Sequence, residues 1–193
     1  MSEANKPALA NVGALGLGGF ALSTFILNIV NAGWVDASAV GIVMPVAMLY
    51  GGLAQFMAGM WDVRRGDIFG ATCFTSFGAF WMGLALFFFM KFAGIQAFVD
   101  VTPAGVAIVL IAWGIFTFYA TIASLKLPRV ITWVFITLTI LFFLLAIGEF
   151  VPVVHTIAGY EGVLCALIAW YASAGTLINT VHGKTVLPLG VRK

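Results

Sequence analysis

The chain has too few charged side chains to cover the surface of a soluble domain. Only 8% of its 193 residues are Asp, Glu, Lys or Arg, whereas about a quarter of an average globular protein is charged. Sixteen charges do not provide the solvated surface that a domain of this size needs. The shortage excludes an ordinary soluble enzyme, a nucleic-acid-binding protein and a disordered chain.

Cysteine and histidine are also scarce. Cys73 and Cys165 lie inside apolar runs, where a cysteine ordinarily serves as a small buried hydrophobe. His155 and His182 stand far apart at the ends of such runs. This spacing fits no zinc or haem site, so we expect neither a metal nor a cofactor. No nucleophile–base pair is visible either, and we do not expect an enzyme.

Long apolar runs dominate the sequence instead. Apolar residues make up 63% of the chain and its mean hydropathy is +1.13. A membrane-spanning helix needs about 20 largely apolar residues, and the continuous runs do not show the short alternation of β-barrel strands. The sequence therefore predicts an all-α membrane protein with a kink at Pro45 and with six transmembrane helices, at 12–32, 38–61, 68–90, 103–125, 130–148 and 158–180.

The segments between the runs carry most of the polar residues. The longest connection runs from Lys91 to Thr102, and the last, 149–157, contains Pro152. Eight of the nine Lys and Arg residues fall on one side of the predicted topology, and only Lys91 falls on the other. By the positive-inside rule both termini are cytoplasmic, as an even number of spans requires. We expect one membrane domain at 12–180, flanked by cytoplasmic tails at 1–11 and 181–193.

Ionisable residues lie near the ends of the predicted spans and not at their centres. This placement argues against a proton pump or a strongly ion-coupled carrier, although Asp62, Glu149 and Glu161 remain candidates for water-filled vestibules. Neutral polar residues occur within the spans, and Thr24 and Asn28 share a helix face with Phe20.

Interhelical hydrogen bonding explains many neutral polar residues in a span without any substrate. It explains amides less well, because an amide has four hydrogen-bonding sites and hydrocarbon satisfies none of them. We therefore expect Asn28, Asn31 and Gln55 to face a pore or vestibule.

Several sequence blocks, in order along nearly the whole chain, are similar to one family. The blocks are Asn11–Leu17, Asn28 with Asn31–Gly33, Tyr50–Gln55, Ala58–Gly59, Arg65–Gly70, Thr75–Trp81, Leu145–Gly148 and Gly183–Gly190. On these residues the chain resembles the acetate uptake transporter family, also called succinate–acetate permeases or the YaaH type. Val12 and Ala14 stand where the family's first block, NPAPLGL, has prolines, so the local geometry of the first helix is expected to differ.

The resemblance implies a six-helix bundle with a pore in each protomer, assembled as a ring hexamer in the inner (plasma) membrane. It implies transport of acetate and, in some members, of succinate or other short carboxylates. Relatives close their pore with a hydrophobic constriction of Phe, Leu and Tyr. These positions map onto Phe20, Leu138 and Phe77, so this chain lacks the tyrosine hydroxyl and its constriction is expected to be drier.

The predicted site therefore has two parts. Phe20, Phe77 and Leu138 would form the constriction, and the approaches would be lined by Asn11, Thr24, Asn28, Asn31, Gln55, Thr72 and Ser76. We expect transport of acetate, as an anion channel or a proton-linked permease, with the substrate, the lipid bilayer and other copies of the chain as partners and no nucleic acid.

Two alternatives stay open. An uncharged pore suits a neutral solute such as urea or ammonia equally well, and a structural membrane protein with no pore is the third candidate.

Overall fold

The structure, a computed structural model, describes residues 9–192. All regular elements among these residues are helical. Six helices are long and apolar enough to cross a membrane, which confirms the predicted number of spans. They are α1 (Gly13–Asn31), α2 (Ala37–Arg65), α3 (Ile68–Phe92), α5 (Pro103–Ser124), α6 (Arg129–Gly148) and α7 (Pro152–His182). A short helix, α4 (Gln96–Val99), lies in the connection between α3 and α5.

Local polar groups define the helix ends. The side chain of Asp67 accepts a hydrogen bond from the Gly70 amide at 2.9 Å, and Thr102 caps α5 in the same way, which satisfies amides that the first turn leaves free. Asp36 precedes α2 and accepts from Ser38, and this hydrogen bonding lowers the pKa of the Asp36 carboxyl. Gly66, with φ of 73°, ends α2 in the left-handed conformation that glycine adopts readily.

The start of α7 differs from the prediction. The helix begins at Pro152 instead of near residue 158, so the connection from α6 is only three residues long, Glu149–Val151. Proline is well suited to the first turn of a helix, because the amide that it lacks would have no partner there. Pro152 therefore marks the start of the last span and not the connection before it.

Helix α2 contains the expected interruption, in a specific form. A regular α-helical segment ends at Val46, just after Pro45, and Ala47–Ala54 then form a π-helical segment. Proline has no N–H to donate and disturbs the regular ladder, and π segments are often found at functional positions. Gly51, within this segment, lies so close to Ser23 of α1 that a β-carbon there would overlap the Ser23 side chain.

Helices α1 and α7 pack antiparallel at close range. Ser173 of α7 donates to the carbonyl of Ala14 at 2.6 Å, near the start of α1. At the other end, Gly159 faces the backbone of Ala32 and Gly162 faces Asn28 so closely that a β-carbon would overlap them. Small residues allow such approach between membrane helices. On the other side of α7 lies α6, which packs on α5, while α2 and α3 pack beside α1.

The segment after α7 folds back onto the bundle. The Asn179 side chain accepts hydrogen bonds from the amides of Val186 and Leu187, and Tyr171 donates to the carbonyl of Pro188 at 2.9 Å. The Gly190 carbonyl accepts from the amide of Arg129 at the start of α6. Residues 183–192 therefore lie against α6 and α7.

The contact between α1 and α7 gives a first prediction. Gly159→Ala forces a methyl into the backbone of α1, so it should lower the free energy of unfolding by about 1–3 kcal/mol. Gly83→Ala in α3 is the matched control, because no atom beyond the adjoining residues and backbone of its own helix lies within 4 Å of a β-carbon there. That control should stabilise by about 0.5–1 kcal/mol. Thermal unfolding of the detergent-solubilised protein measures both, and equal shifts in the two variants would contradict the close contact.

Candidate substrate pathway

A cavity of about 210 Å³ enters the bundle among α1, α2, α3, α6 and α7. Its outer part is lined by Asn11, which precedes α1, by Asp67 before α3, and by Leu127 and Pro128 between α5 and α6. The cavity therefore opens at the end of the bundle where α1, α3 and α6 begin.

The inner part of this cavity is apolar. Phe20 of α1, Phe77 of α3 and Leu138 of α6 all line it and are each at most 5% exposed. The ring centroids of Phe20 and Phe77 are 6.1 Å apart. The structure thus brings together the three residues expected to form a constriction, although they are distant in sequence. Their role in closing a pore stays a prediction.

Phe77 is the centre of an aromatic cluster. Besides Phe20, its ring lies 5.3 Å from Phe116 and 5.6 Å from Trp113, measured between centroids, and further contacts reach Phe135 and Phe142. Edge-to-face and tilted arrangements of this kind are favourable beyond the area that they bury. Phe77 stands where the resemblance leads one to expect a tyrosine. Its surroundings are largely aromatic rings.

One ion pair lies beside the cavity. Asp62, which lines it and is 1% exposed, pairs with Arg65 at 2.6 Å. Arg65 also donates to the side chain of Asn11 at 3.4 Å, so the arginine links the end of α2 to the segment before α1. The charges of Asp62 and Arg65 offset each other. Asp67, which is exposed, adds a further carboxylate near the opening.

The polar face of α1 continues beyond Phe20, outside the residues that line the cavity. Thr24 and Asn28 are almost completely buried. The Asn28 amide donates to the Thr24 carbonyl at 2.8 Å and accepts from Asn31 at 3.2 Å. We expected the Asn28 amide to face a pore. Part of its hydrogen-bonding capacity is instead used within α1. Gln55, by contrast, lines the cavity, as does Asn11.

Thr72 and Ser76 lie apart from the cavity. Thr72 is exposed on the outside of α3, and Ser76 lines a shallow groove with Trp113 and Phe116. The α3 residues that line the cavity include Cys73 and Phe77. Each of the two polar residues precedes one of these by a single position, which turns its side chain by about 100° around the helix.

The tertiary structure shows which buried polar groups lack a hydrogen-bond partner. Ser23 Oγ, Thr24 Oγ1, Gln55 Oε1 and Trp81 Nε1 are buried without a hydrogen-bond partner among residues 9–192, as are both carboxylate oxygens of Glu161. The sequence marks Thr24 and Gln55 as polar residues within spans, but Ser23 and Trp81 carry no signal that separates them from ordinary packing residues. Within the same described range, no group of three His, Cys, Asp or Glu side chains is placed to hold a metal.

Comparisons with known proteins agree with this architecture. The model of the GPR1/FUN34/yaaH family matches residues 1–189. The chain is 39% identical to the succinate-acetate/proton symporter SatP of Escherichia coli (strain K12), over 94% of this chain and 96% of that protein. It is 32% identical to acetate permease A of Emericella nidulans, over 97% of this chain and 67% of the permease.

A fungal relative and a solved structure complete the comparison. Ammonia transport outward protein 2 of Saccharomyces cerevisiae is 36% identical, over 84% of this chain and 59% of that protein. The solved structure of the bacterial acetate channel SatP superimposes with a TM-score of 0.88 at 38% identity, over 94% of this chain and 99% of that one.

The ion pair of Asp62 with Arg65 gives a second prediction. Arg65→Gln leaves the Asp62 carboxylate buried without a cation, so it should lower the free energy of unfolding by about 1–3 kcal/mol. Arg64→Gln is the matched control, because Arg64 lies over the ring of Trp61 at an exposed position, where such contacts contribute about 0.5–1 kcal/mol. Thermal unfolding compares the two variants, and a larger loss in Arg64→Gln would disprove a structural role for the pair.

Proposed function

We propose that this chain, which belongs to the GPR1/FUN34/yaaH family, transports acetate across a membrane through its cavity and the constriction at the inner end. One observation carries the proposal: Phe20, Phe77 and Leu138, from three different helices, meet in one cavity within a bundle of six apolar helices. Relatives named for acetate transport support the choice of substrate.

The need for a protein follows from the ionisation of the substrate. A short carboxylic acid titrates near pH 4, so roughly one molecule in a thousand is neutral at pH 7. That fraction crosses lipid unaided, whereas the anion does not. A route lined by neutral groups such as Gln55 binds the anion weakly enough to release it. An apolar ring favours a small substrate with a methyl group, because the cost of dehydration is higher for larger polar substrates.

A neutral solute is the second candidate function. It is favoured by the inner end of the cavity, where the lining side chains Phe20, Phe77 and Leu138 carry no charge that would attract an anion. Ammonia or urea would pass such a ring at a lower dehydration cost than a carboxylate. The ring of Phe20, Phe77 and Leu138 suits both candidate functions. The polar groups next to the ring therefore decide whether an anion or a neutral solute is transported.

The proposal extends to topology and assembly. Both tails, 1–11 and 181–193, lie in the cytoplasm of a cell whose plasma membrane holds the domain 12–180, because Lys and Arg concentrate on that side. The cavity then opens towards the cytoplasm. Copies of the chain form a ring hexamer, and exposed apolar side chains such as Ile108 and Trp133 serve contact with lipid or with a neighbouring copy. The protein acts by transport and not by catalysis.

Cysteine labelling tests the topology. In a background without Cys73 and Cys165, Lys91→Cys should react with a membrane-impermeant maleimide in intact cells, and Lys184→Cys should react only after lysis. Both positions are exposed, so accessibility in the folded protein is matched. The reverse pattern would place the termini outside.

Uptake into proteoliposomes tests the transport proposal and its constriction. Labelled acetate should enter faster than into empty liposomes. Phe20→Ala removes a ring from the constriction, which opposes larger polar solutes, so the ratio of acetate to succinate uptake should fall by about tenfold, which corresponds to about 1.4 kcal/mol of lost discrimination. Phe25→Ala is the control on the same helix, since Phe25 packs against Trp170 instead. Urea uptake without acetate uptake in the unaltered protein would reject acetate and leave the neutral solute.

A further inference from the structure

Three hydrogen-bond donors are buried without partners next to the proposed pathway. They are the hydroxyls of Ser23 and Thr24 and the indole N–H of Trp81, which we call the donor cluster. Each of these residues is at most 3% exposed. The buried Oε1 of Gln55, which lines the cavity, is also unpaired.

The helices place these donors one turn beyond the constriction. Thr24 follows Phe20 by four residues in α1, and Trp81 follows Phe77 by four residues in α3, so each lies on the same face as its constriction residue. Both helices start at the open end of the cavity and therefore run in the same direction away from it. Thr24 and Trp81 thus lie one turn beyond residues that line the cavity, and Trp81 packs there with Val43 and Ala47 of α2.

The π-helical segment of α2 joins Ser23 to Trp81. A β-carbon on Gly51 would overlap Ser23 Oγ and would lie 3.0 Å from Cγ of the Trp81 ring. The Ser23 hydroxyl and the Trp81 indole therefore approach the same point of α2. Gln55 directly follows the π segment and lines the cavity.

Ordinary packing does not account for three unpaired donors. Hydroxyls within helices usually bond to a carbonyl one turn earlier, as Thr117 does to Trp113 at 2.7 Å. A buried donor without a partner destabilises the fold, and a Trp N–H has no means of turning into an acceptor. A carboxylate accepts hydrogen bonds only, so a group of neutral donors is complementary to it.

We propose that Ser23, Thr24 and Trp81 form a subsite that binds the carboxylate group of the transported anion after it passes Phe20. This proposal rests on the proposed function and adds the groups that bind the carboxylate of the transported anion. The Phe20 ring lines the cavity one turn before Thr24 and therefore lies between the cavity and the subsite. Because the donors are neutral, the anion is held by hydrogen bonds and released without separating an ion pair.

The test uses the opposite effects of these donors on stability and on transport. Thr24→Val keeps the shape of the side chain and removes the unpaired hydroxyl. Without acetate it should raise the melting temperature by roughly 2–4 °C. In proteoliposomes it should raise the acetate concentration that half-saturates uptake by about tenfold, since a hydrogen bond to a charged group is lost. Ser23→Ala and Trp81→Phe should each act in the same direction on uptake.

Thr117→Val is the matched control. Thr117 is fully buried and its hydroxyl is already bonded within α5, so this change should lower the melting temperature and leave the half-saturating concentration unchanged. Normal half-saturation in the three donor variants would overturn the subsite while leaving acetate transport in place. Absence of acetate uptake in the unaltered protein would overturn the proposed function and the subsite together.

Discussion

The absence of hydrogen-bonding solvent in the membrane is the constraint on which the rest of the structure depends. Every buried polar group has to find its partner within the protein. Most of the side chains comply locally: Thr117, Thr121 and Thr139 bond to carbonyls of their own helices, and Asp62 pairs with Arg65. Against this background the few unpaired groups are informative, and the hydroxyls of Ser23 and Thr24 and the indole N–H of Trp81 are three donors among them.

Close packing around α1 determines where those groups lie. Gly159 and Gly162 bring α7 against one side of α1, and the π-helical segment of α2 brings Gly51 against another. The aromatic cluster around Phe77 occupies the space between α3, α5 and α6. Helix α1 is therefore held between neighbours, and Asn28 on its polar face lies against Gly162 of α7.

An apolar constriction followed by neutral donors provides a physical scheme for anion transport. In the proposed function, the ring of Phe20, Phe77 and Leu138 would impose a dehydration cost that depends on the size and polarity of the solute. Donors just beyond the ring offset part of that cost for a carboxylate and less of it for a solute that offers fewer acceptors. In this scheme the ring selects against large polar solutes, and the donors favour a carboxylate over a neutral solute.

The sequence by itself determined the six spans, because each is a long apolar run between polar or proline-containing segments. It also indicated Phe20, Phe77 and Leu138, through a resemblance, and the polar face of α1, through its spacing. Only the tertiary structure decided that Pro152 begins α7 and that Thr72 and Ser76 turn away from the cavity, since the rotation of a nearly uniformly apolar helix is set by its neighbours. It likewise decided that Ser23 and Trp81 are left unpaired, because hydrogen-bond satisfaction depends on groups from three helices that are distant in the sequence.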